Sequence, residues 1–368
     1  MTRARDMANL GSSAATLETT VANKSGKNLI INGAMQVAQR STSTASVTAT
    51  GYHACDRWNI FGSSFGTYTV SQSSTSPDGF ANSLKLECTA ADASPSAGDH
   101  FGVQQKFEGQ NLQQLKKGTS GAVSTTVSFW VRSSKTGTYT LEMDDRDNTR
   151  SFSKTYTINA ADTWEHKSVT FAGDTTGALD DDNANSFQLS WWLMAGTTFT
   201  GGTFTTGWES RTNGNRVSSS NVNLSDSTSN DWYLTGVQLE VGSTDTPYSH
   251  RFYVDELNDC FRYFNRYRKT NSYGEFVTIR TYSATQGTGI HQFPTPMRAA
   301  PSLSIDKTVN GTYFAYNLNA IAITGTDGNG TSCGFHATSA SNSFVSGGGA
   351  VIQSNAVQDI SFNLDAEL

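Results

Sequence analysis

The stretch that decides the fold reads V-S-T-T-V-S-F-W-V-R over Val123–Arg132 and continues as T-Y-T-L-E-M over Thr138–Met143. Apolar and polar side chains alternate in both runs, and turn residues lie between them. Alternation with a period of two is the pattern of a half-buried β-strand. The side chains that this pattern assigns to the buried face are Val127, Phe129, Val131, Tyr139, Leu141 and Met143.

Similar strand patterns occur on both sides of this stretch, with turn residues between them and no helical pattern. They lie at Leu29–Ile31, Thr67–Val70, Leu84–Cys88, Trp164–Phe171, Phe187–Met194 and Trp232–Val241. Many short strands without intervening helices indicate a β-sandwich. We therefore predict an all-β fold in which residues 28–248 form a two-sheet jelly roll. A long polar, Gly-rich loop is expected over residues 196–230.

The pattern changes near residue 249. Apolar residues from Val254 to Phe264 recur at helical spacing, which predicts an amphipathic helix over Tyr253–Arg268 within a connecting segment, residues 249–270. Its aromatic face, which includes Phe261 and Phe264, should pack on a sheet or on copies of itself. Strand patterns return over residues 271–368 and predict a second, smaller β-sandwich domain.

The first 27 residues form a separate leader. A short helix is predicted through about Leu10, with Met7 and Leu10 on one face. Such a short segment buries little apolar area by itself, so it should become ordered only against another chain.

Composition excludes two classes of function. The formal net charge is −6, whereas a general nucleic-acid binder needs a basic surface. No apolar run approaches the roughly 18 residues that a membrane span requires. The amino terminus also lacks the apolar core of a signal peptide, so the chain is expected to be made in a cytoplasm and not exported by that route.

Acidic clusters raise the question of catalysis and metal binding. Carboxylates occur in Asp144–Asp147 and Asp180–Asp182, and solvated turns are the expected role for both. A glycosidase would need two carboxylates about 5 to 10 Å apart in a cleft, and neighbours on a turn do not supply that arrangement. A structural calcium is the alternative, because oxygen-rich loops suit that ion. We predict no catalytic residues, no metal site and no cofactor.

Tryptophans are the candidate ligand-binding residues. Trp191 and Trp192 are neighbours on a predicted strand, so they should point to opposite faces. One should enter the core, while the other should face outward or into the long loop. An exposed aromatic ring stacks on a sugar because the C–H faces of sugars are apolar. Trp164 and Trp208 are further candidates for such a platform, although core packing is the commoner role.

Three segments resemble the tail-fibre proteins of phages and prophages. Asn28–Arg40 followed by Cys55–Trp58 is similar to the opening motif of their modules, and Gly236–Tyr248 followed by Glu256–Phe264 to the closing motif. Phe293–Pro301 resembles the start of their C-terminal domain. The family usually has Gln where this chain has Phe261. The leader also resembles a segment near the start of such fibres.

This resemblance implies a carbohydrate-binding-like jelly roll in a trimeric fibre on the phage tail. The implied partners are copies of the chain, other phage tail proteins and the host cell-surface polysaccharide. Arg3, Arg5, Met7 and Leu10 would then attach the leader to the virion, and Phe261 and Phe264 would contact other copies. Two alternatives remain: a capsid decoration or head-fibre protein, and a depolymerase that cuts host polysaccharide.

Overall fold

A computed structural model describes residues 27–269, 275–307, 313–315, 319–329, 332–339, 346–353 and 360–368. The chain divides into two compact units. The first comprises the described residues up to Met35 together with Ala45–Gly51 and Asn59–Arg251. The second comprises Gln36–Thr44, Tyr52–Trp58 and Phe252–Leu368. The units therefore differ from the contiguous predicted domains, since two short segments before residue 59 belong to the second unit.

The first part of the chain is built from antiparallel strands. In chain order they are β1 (Ser43–Val47), β2 (Gly51–Tyr52), β3 (Asn59–Ser63), β4 (Thr67–Ser73), β5 (Ser83–Ala90), β6 (His100–Glu108), β7 (Thr125–Ser133), β8 (Gly137–Asp145), β9 (Arg150–Ile158), β10 (Glu165–Phe171), β11 (Asn185–Ala195), β12 (Glu209–Ser210) and β13 (Asp231–Val241). One sheet has the order β1-β4-β5-β13-β7-β10, and the other β12-β9-β8-β11-β6-β3-β2. This is the all-β sandwich that the alternating pattern predicts.

The core lies between the two sheets and is rich in aromatic rings. Phe129 on β7 packs edge-on against Trp191 on β11, with 5.5 Å between the ring centroids. Phe129 also contacts Tyr156 on β9 at 5.1 Å, and Tyr68 on β4 stacks on Phe101 of β6 at 4.4 Å. All five side chains are buried. Each of them stabilises the sandwich by roughly 1.5–3 kcal/mol through the apolar area that it buries.

Strand β8 is buried on both faces, although its alternating pattern predicts one buried face. Tyr139 and Leu141 point into the core, and Glu142 and Asp144 on the opposite face are also 0% exposed. The cover is the segment from Gly196 to Asn230, the predicted long loop. This segment is ordered and contains helix α1 (Thr197–Thr200) and the short 3-10 helices Asn213–Asn215 and Leu224–Asp226.

The predicted first strand, Leu29–Ile31, is not a strand in the structure. The segment instead lies beside β13, where the Leu29 N–H donates to Leu239 O at 2.9 Å and Gly33 O accepts from the Val237 N–H at 3.0 Å. The Asn28 side chain adds further bonds. The Asn28 amide oxygen accepts from the N–H groups of Ile30 and Leu239, both at 3.0 Å, and its amide nitrogen donates to Val237 O at 3.1 Å. Two backbone bonds and the Asn28 side-chain bonds thus hold this segment in place of a regular strand ladder.

In the second unit the helix is shorter than predicted. Helix α2 covers Tyr253–Phe261, and the chain then turns into strand β14. The remaining strands are β14 (Phe264–Lys269), β15 (Glu275–Thr281), β16 (Gln286–Gln292), β17 (Ser302–Lys307), β18 (Tyr313–Ala315), β19 (Asn319–Asn329), β20 (Ser332–Ser339), β21 (Gly349–Gln353) and β22 (Ile360–Asp365). Aromatic residues favour strands, and Phe264–Lys269 form a strand although the helical spacing of apolar residues continues to Phe264.

The second unit is not the predicted sandwich. Six of its strands close a barrel in the order β15-β16-β20-β19-β18-β21, and β14, β22 and β17 form a separate three-stranded sheet. Closure removes the exposed edges of a sheet, and a strand pattern alone does not distinguish it from stacking of two sheets. No helix within the described ranges is long and apolar enough to cross a membrane.

The second unit contains the D-R-W segment of the opening motif. The buried Arg57 forms an ion pair with Glu367 near the carboxyl end, and its guanidinium lies 3.5 Å from the ring centroid of Tyr263. Asp56 accepts from the backbone N–H of Gln39 at 2.9 Å. Burial raises the pKa of Asp56 to about 6, against the opposing effect of Arg40. The motif therefore joins the two ends of this unit, which is a structural role.

Candidate functional site

The four tryptophans predicted to bind a glycan occupy different environments. Trp191 is 0% exposed and packs in the core against Phe129. Trp192 is 1% exposed on the opposite face of β11, where the long loop covers it with Phe199 at 5.3 Å and Arg216 at 5.0 Å. The pair therefore points to opposite faces, with Trp191 in the core and Trp192 facing the long loop, as predicted. Neither ring offers an open face to a sugar in this structure.

Trp208 is half-buried and held in place. Its indole N–H donates to Ala172 O at 2.8 Å, and its ring lies 6.0 Å from the rings of both Phe152 and Phe187. The ammonium of Lys117 lies 5.4 Å from the ring centroid. These contacts fix the loop strand β12 on the seven-stranded sheet, which assigns Trp208 a packing role.

A cleft of about 370 Å³ lies on the outer face of the six-stranded sheet. Its lining residues are Ser128, Trp130, His166, Gly236, Asp245, Thr246, Pro247 and Tyr248. Trp130 of β7 is half-buried and pairs in register with His166 of β10, and their ring centroids are 5.3 Å apart. The sequence analysis missed this site. Its signal was the alternation of β7 itself, which turns Trp130 away from the core side chains Phe129 and Val131.

The floor of the cleft depends on a glycine. Gly236 lies in an irregularity of the β13–β7 ladder and has φ of +61°, a left-handed conformation that favours glycine. A Cβ atom there would lie 2.6 Å from Cζ of Phe80 and 3.0 Å from Cδ1 of Trp130. The missing side chain thus leaves room between two aromatic rings. Phe80 in turn contacts Tyr248, at 5.1 Å between ring centroids.

The wall of the cleft is built by the closing motif. Glu240, which is 3% exposed, accepts from the Thr246 N–H at 2.9 Å and from its hydroxyl at 2.8 Å. The buried Gln238 donates to Thr246 O at 3.2 Å and accepts from the Ser249 N–H at 2.9 Å. These bonds hold the turn that carries Asp245, Pro247 and Tyr248. The Q-L-E and T-P-Y segments are therefore a scaffold for one side of the cleft.

The polar groups of the cleft suit a hydroxylated ligand. Asp245 is half-buried, and its Oδ1 accepts from the Ser168 hydroxyl at 3.0 Å. A carboxylate accepts several hydrogen bonds at once, so Asp245 can also accept from a ligand O–H. The exposed ring of His166 and the hydroxyl of Ser128 add groups that both donate and accept. An apolar ring beside a few such groups is the usual composition of a small-ligand site.

Asp144 and Asp145 on β8 are buried and paired, which corrects the solvated-turn prediction for these two residues, whereas Arg146 and Asp147 are exposed in the turn that follows. Asp144 is 0% exposed and accepts from Arg211 at 2.7 and 2.8 Å and from Arg146 at 3.2 Å. Asp145 forms an ion pair with the buried Lys117. By contrast, all three residues of Asp180–Asp182 are exposed.

These buried carboxylates belong to a polar network beneath the long loop. Glu142 accepts from Nε and Nη2 of Arg216 at 2.7 and 2.9 Å and from the Trp192 indole N–H at 2.9 Å. Each of these buried acids thus has a cationic partner. Within the described ranges, no three His, Cys, Asp or Glu side chains are grouped so that they could hold a metal ion.

The residues predicted to mediate attachment and oligomerisation are only partly described. Arg3, Arg5, Met7 and Leu10 lie outside the described residues. Phe264 is 3% exposed within its own unit, where the Arg40 guanidinium lies 3.6 Å from its ring centroid, and Phe261 is half-buried. Phe264 is therefore not available to a second copy, because β14 places it inside the fold. The apolar residues exposed at the start of α2 are instead Phe252, Tyr253 and Val254.

Comparisons with known proteins give similar solved structures but no relative in sequence. No protein-family model matches the chain, and no curated protein is significantly similar to it. The enzymatically active domain of bacteriophage CBA120 tailspike protein 4 is 13% identical with a TM-score of 0.30, over 58% of this chain and 21% of that chain.

Two carbohydrate-binding modules are also similar at this level. The TmCBM61 module in complex with β-1,4-galactotriose is 10% identical with a TM-score of 0.30, over 58% of this chain and 99% of that chain. The CBM22-1 xylan-binding domain from Paenibacillus barcinonensis is 11% identical with a TM-score of 0.28, over 60% and 99%. What the chain itself shows is a jelly-roll-like sandwich that carries an aromatic and polar cleft on the outer face of its six-stranded sheet.

Proposed function

We propose that this chain is a bacteriophage virion fibre protein that attaches to a glycan on the host surface through the Trp130 cleft. The observation that carries the glycan-binding part is the half-buried Trp130 ring beside Asp245 and Ser128. Such a ring stacks on the apolar face of a sugar while the polar groups bond its hydroxyls. The virion setting is supported by the opening and closing motifs in the sequence.

In this proposal the two motifs build the scaffold of the protein. The closing motif fixes the turn that forms one wall of the cleft, through Glu240 and Gln238. The opening motif anchors Arg57 to Glu367 in the second unit. Residues that build and stiffen a binding scaffold keep a shallow site in one conformation, which lowers the entropic cost of binding.

The proposal assigns no catalysis to the chain. The buried acids Glu142 and Asp144 are each paired with arginine beneath the long loop, and the proposal gives them a structural role. Incubation of the protein with host polysaccharide would release new reducing ends if the chain were a depolymerase. The proposal predicts that none are released.

Adsorption to host cells tests the binding role. Fluorescently labelled protein should bind cells of the bacterial host, and Trp130→Ala should reduce the bound amount at least several-fold. Tyr282→Ala is the matched control, because Tyr282 is 49% exposed and belongs to the second unit. Equal binding by wild-type protein and Trp130→Ala would contradict the assignment of the cleft.

The assembly and location are tested separately. A trimer of the 39.6 kDa chain is expected in light scattering, and a mass equal to one chain would contradict the fibre assignment. Antibody labelling of intact particles should decorate the tail. Labelling of the capsid would support the head-fibre alternative instead.

A further inference from the structure

A second tryptophan lies on the same face of the sheet as the Trp130 cleft. Trp164 is half-buried and stands two positions before His166, the register partner of Trp130. Its ring packs on Tyr233, with 6.0 Å between centroids. Trp164 immediately precedes β10, which begins at Glu165.

The packing of Tyr233 confirms which face Trp164 occupies. Tyr233 pairs in register with Arg132, and the Arg132 guanidinium lies 4.8 Å from the Tyr233 ring centroid. Arg132 is two positions beyond Trp130 on β7, so both point outward. Tyr233 itself is 5% exposed and therefore backs the Trp164 ring without competing for a ligand. Trp130 on β7 and Trp164, which immediately precedes β10, thus lie on the same outer face of the sheet.

The charges on this face disfavour an acidic sugar. None of the eight residues that line the cleft is Lys or Arg, and Asp245 contributes a carboxylate. The nearby cations are engaged by acids: Arg132 pairs with Asp162 at 2.8 Å, and Lys85 with Glu87 at 3.1 Å. A ligand carboxylate beside Asp245 would be repelled without a compensating cation.

Resting on the glycan binding proposed above, we propose that the ligand is an uncharged oligosaccharide of at least two sugar residues that lies along β7 and stacks on both Trp130 and Trp164. A sugar ring is about as wide as one aromatic ring, so a monosaccharide covers only one of the two positions. Affinity should therefore rise when the ligand is long enough to reach the second ring.

Binding of the full chain to a glycan array of neutral and uronic-acid oligosaccharides is the first experiment. The ligands that bind should be neutral. For the best of them, the Kd of the monosaccharide, disaccharide and trisaccharide is then measured by calorimetry. Stacking on a second ring buries roughly 40 Å² of apolar surface, so the step in length should tighten binding about fivefold.

Variants assign the two positions. Trp164→Ala should abolish the gain in affinity with ligand length, whereas Trp164→Phe should retain most of that gain. Asp245→Asn should admit uronic-acid ligands while it preserves an acceptor for Ser168. Thermal melting checks that each variant is folded, and Tyr282→Ala is the control that should behave as wild type.

The outcomes separate this inference from the proposed function. Preference for acidic glycans, or a gain with length that survives in folded Trp164→Ala, would overturn the inference while glycan binding stands. Failure to bind any glycan on the array or any host polysaccharide would overturn both. Neutral ligands with a gain that Trp164→Ala removes would support both.

Discussion

The buried ion pair between Arg216 and Glu142 gives the sharpest prediction about stability. Glu142 is 0% exposed, and two of its three described donors come from the Arg216 guanidinium at 2.7 and 2.9 Å. The third donor is the Trp192 indole at 2.9 Å. Arg216→Met would keep a long apolar side chain over Trp192 but would leave a buried carboxylate with a single neutral donor.

The expected cost of Arg216→Met is about 3–5 kcal/mol of unfolding free energy, the usual penalty for leaving one charge of a buried pair uncompensated. With a urea m-value of about 2–3 kcal/mol/M, the unfolding midpoint should fall by roughly 1–2 M. The assay is urea denaturation of the full chain, followed by the fluorescence of the buried tryptophans.

Arg132→Met is the matched control for this substitution. Arg132 also binds a carboxylate, at 2.8 Å, but its partner Asp162 is 57% exposed. An exposed pair of this kind contributes about 0–1 kcal/mol. The double variant Arg216→Met with Glu142→Leu should recover most of the loss, because both buried charges are then removed.

The reasoning would be refuted if Arg216→Met and Arg132→Met lowered the midpoint equally. That result would mean that Glu142 reaches solvent and that the loop from Gly196 to Asn230 does not seal β8. Failure of the double variant to recover stability would instead assign the loss to packing of the Arg216 side chain on Trp192.

Three further predictions concern other parts of the chain. Gly236→Ala should lower the unfolding free energy measured in urea by about 1–2 kcal/mol, because a Cβ atom at φ of +61° is strained and meets Phe80. Calorimetry should also show weaker glycan binding. Unchanged stability and affinity would contradict the role of Gly236 in the floor of the cleft. Burial raises the pKa of Asp56 to about 6, so the stability contributed by its protonated form is present below pH ~4 and is lost as pH rises through about 6. The urea unfolding midpoint should therefore fall across this pH range in the wild-type protein and fall less in Asp56→Asn. Trp191→Ala should lower the unfolding free energy by about 3–5 kcal/mol, since the ring is 0% exposed and packs on Phe129. A loss under about 1 kcal/mol in the same unfolding assay would mean that Trp191 is not a core residue.

Much of the fold could be predicted because local pattern and tertiary burial agree. In β7, Val127, Phe129 and Val131 alternate with polar neighbours, and the structure buries all three. The same pattern predicts Asp231–Val241 and Asn185–Ala195 to within a few residues. A period of two suffices wherever one face of a strand meets the core.

Other features depend on contacts between residues far apart in sequence, which a local pattern does not contain. Asn28 helps to hold the first segment beside β13 by accepting from the Leu239 N–H, across 211 positions of sequence. The pairing of Arg57 with Glu367 spans 310 positions. Closure of the second unit into a barrel likewise depends on which strands meet, and not on the composition of each strand.

The candidate site shows the same limit. Trp191 and Trp192 are candidate sugar platforms in the sequence because neighbours on a strand point to opposite faces. In the structure Trp192 is covered by Phe199 and Val217, which belong to a loop that the sequence identifies only as polar. Trp130 was overlooked because a single aromatic in a strand gives no signal by itself. It becomes a site residue only when Asp245 and Tyr248 are brought beside it by the turn that Glu240 holds.

The central claim is that the glycan binds over Trp130, and hydroxyl-radical footprinting with mass spectrometry tests it most directly. Trp130, Trp164 and Trp208 are all half-buried, so each ring is partly accessible to radicals in the free protein. Host polysaccharide should protect Trp130, and less strongly Trp164, while the oxidation of Trp208 stays unchanged. Protection of Trp208 alone, or saturating polysaccharide that leaves Trp130 as reactive as before, would contradict the account.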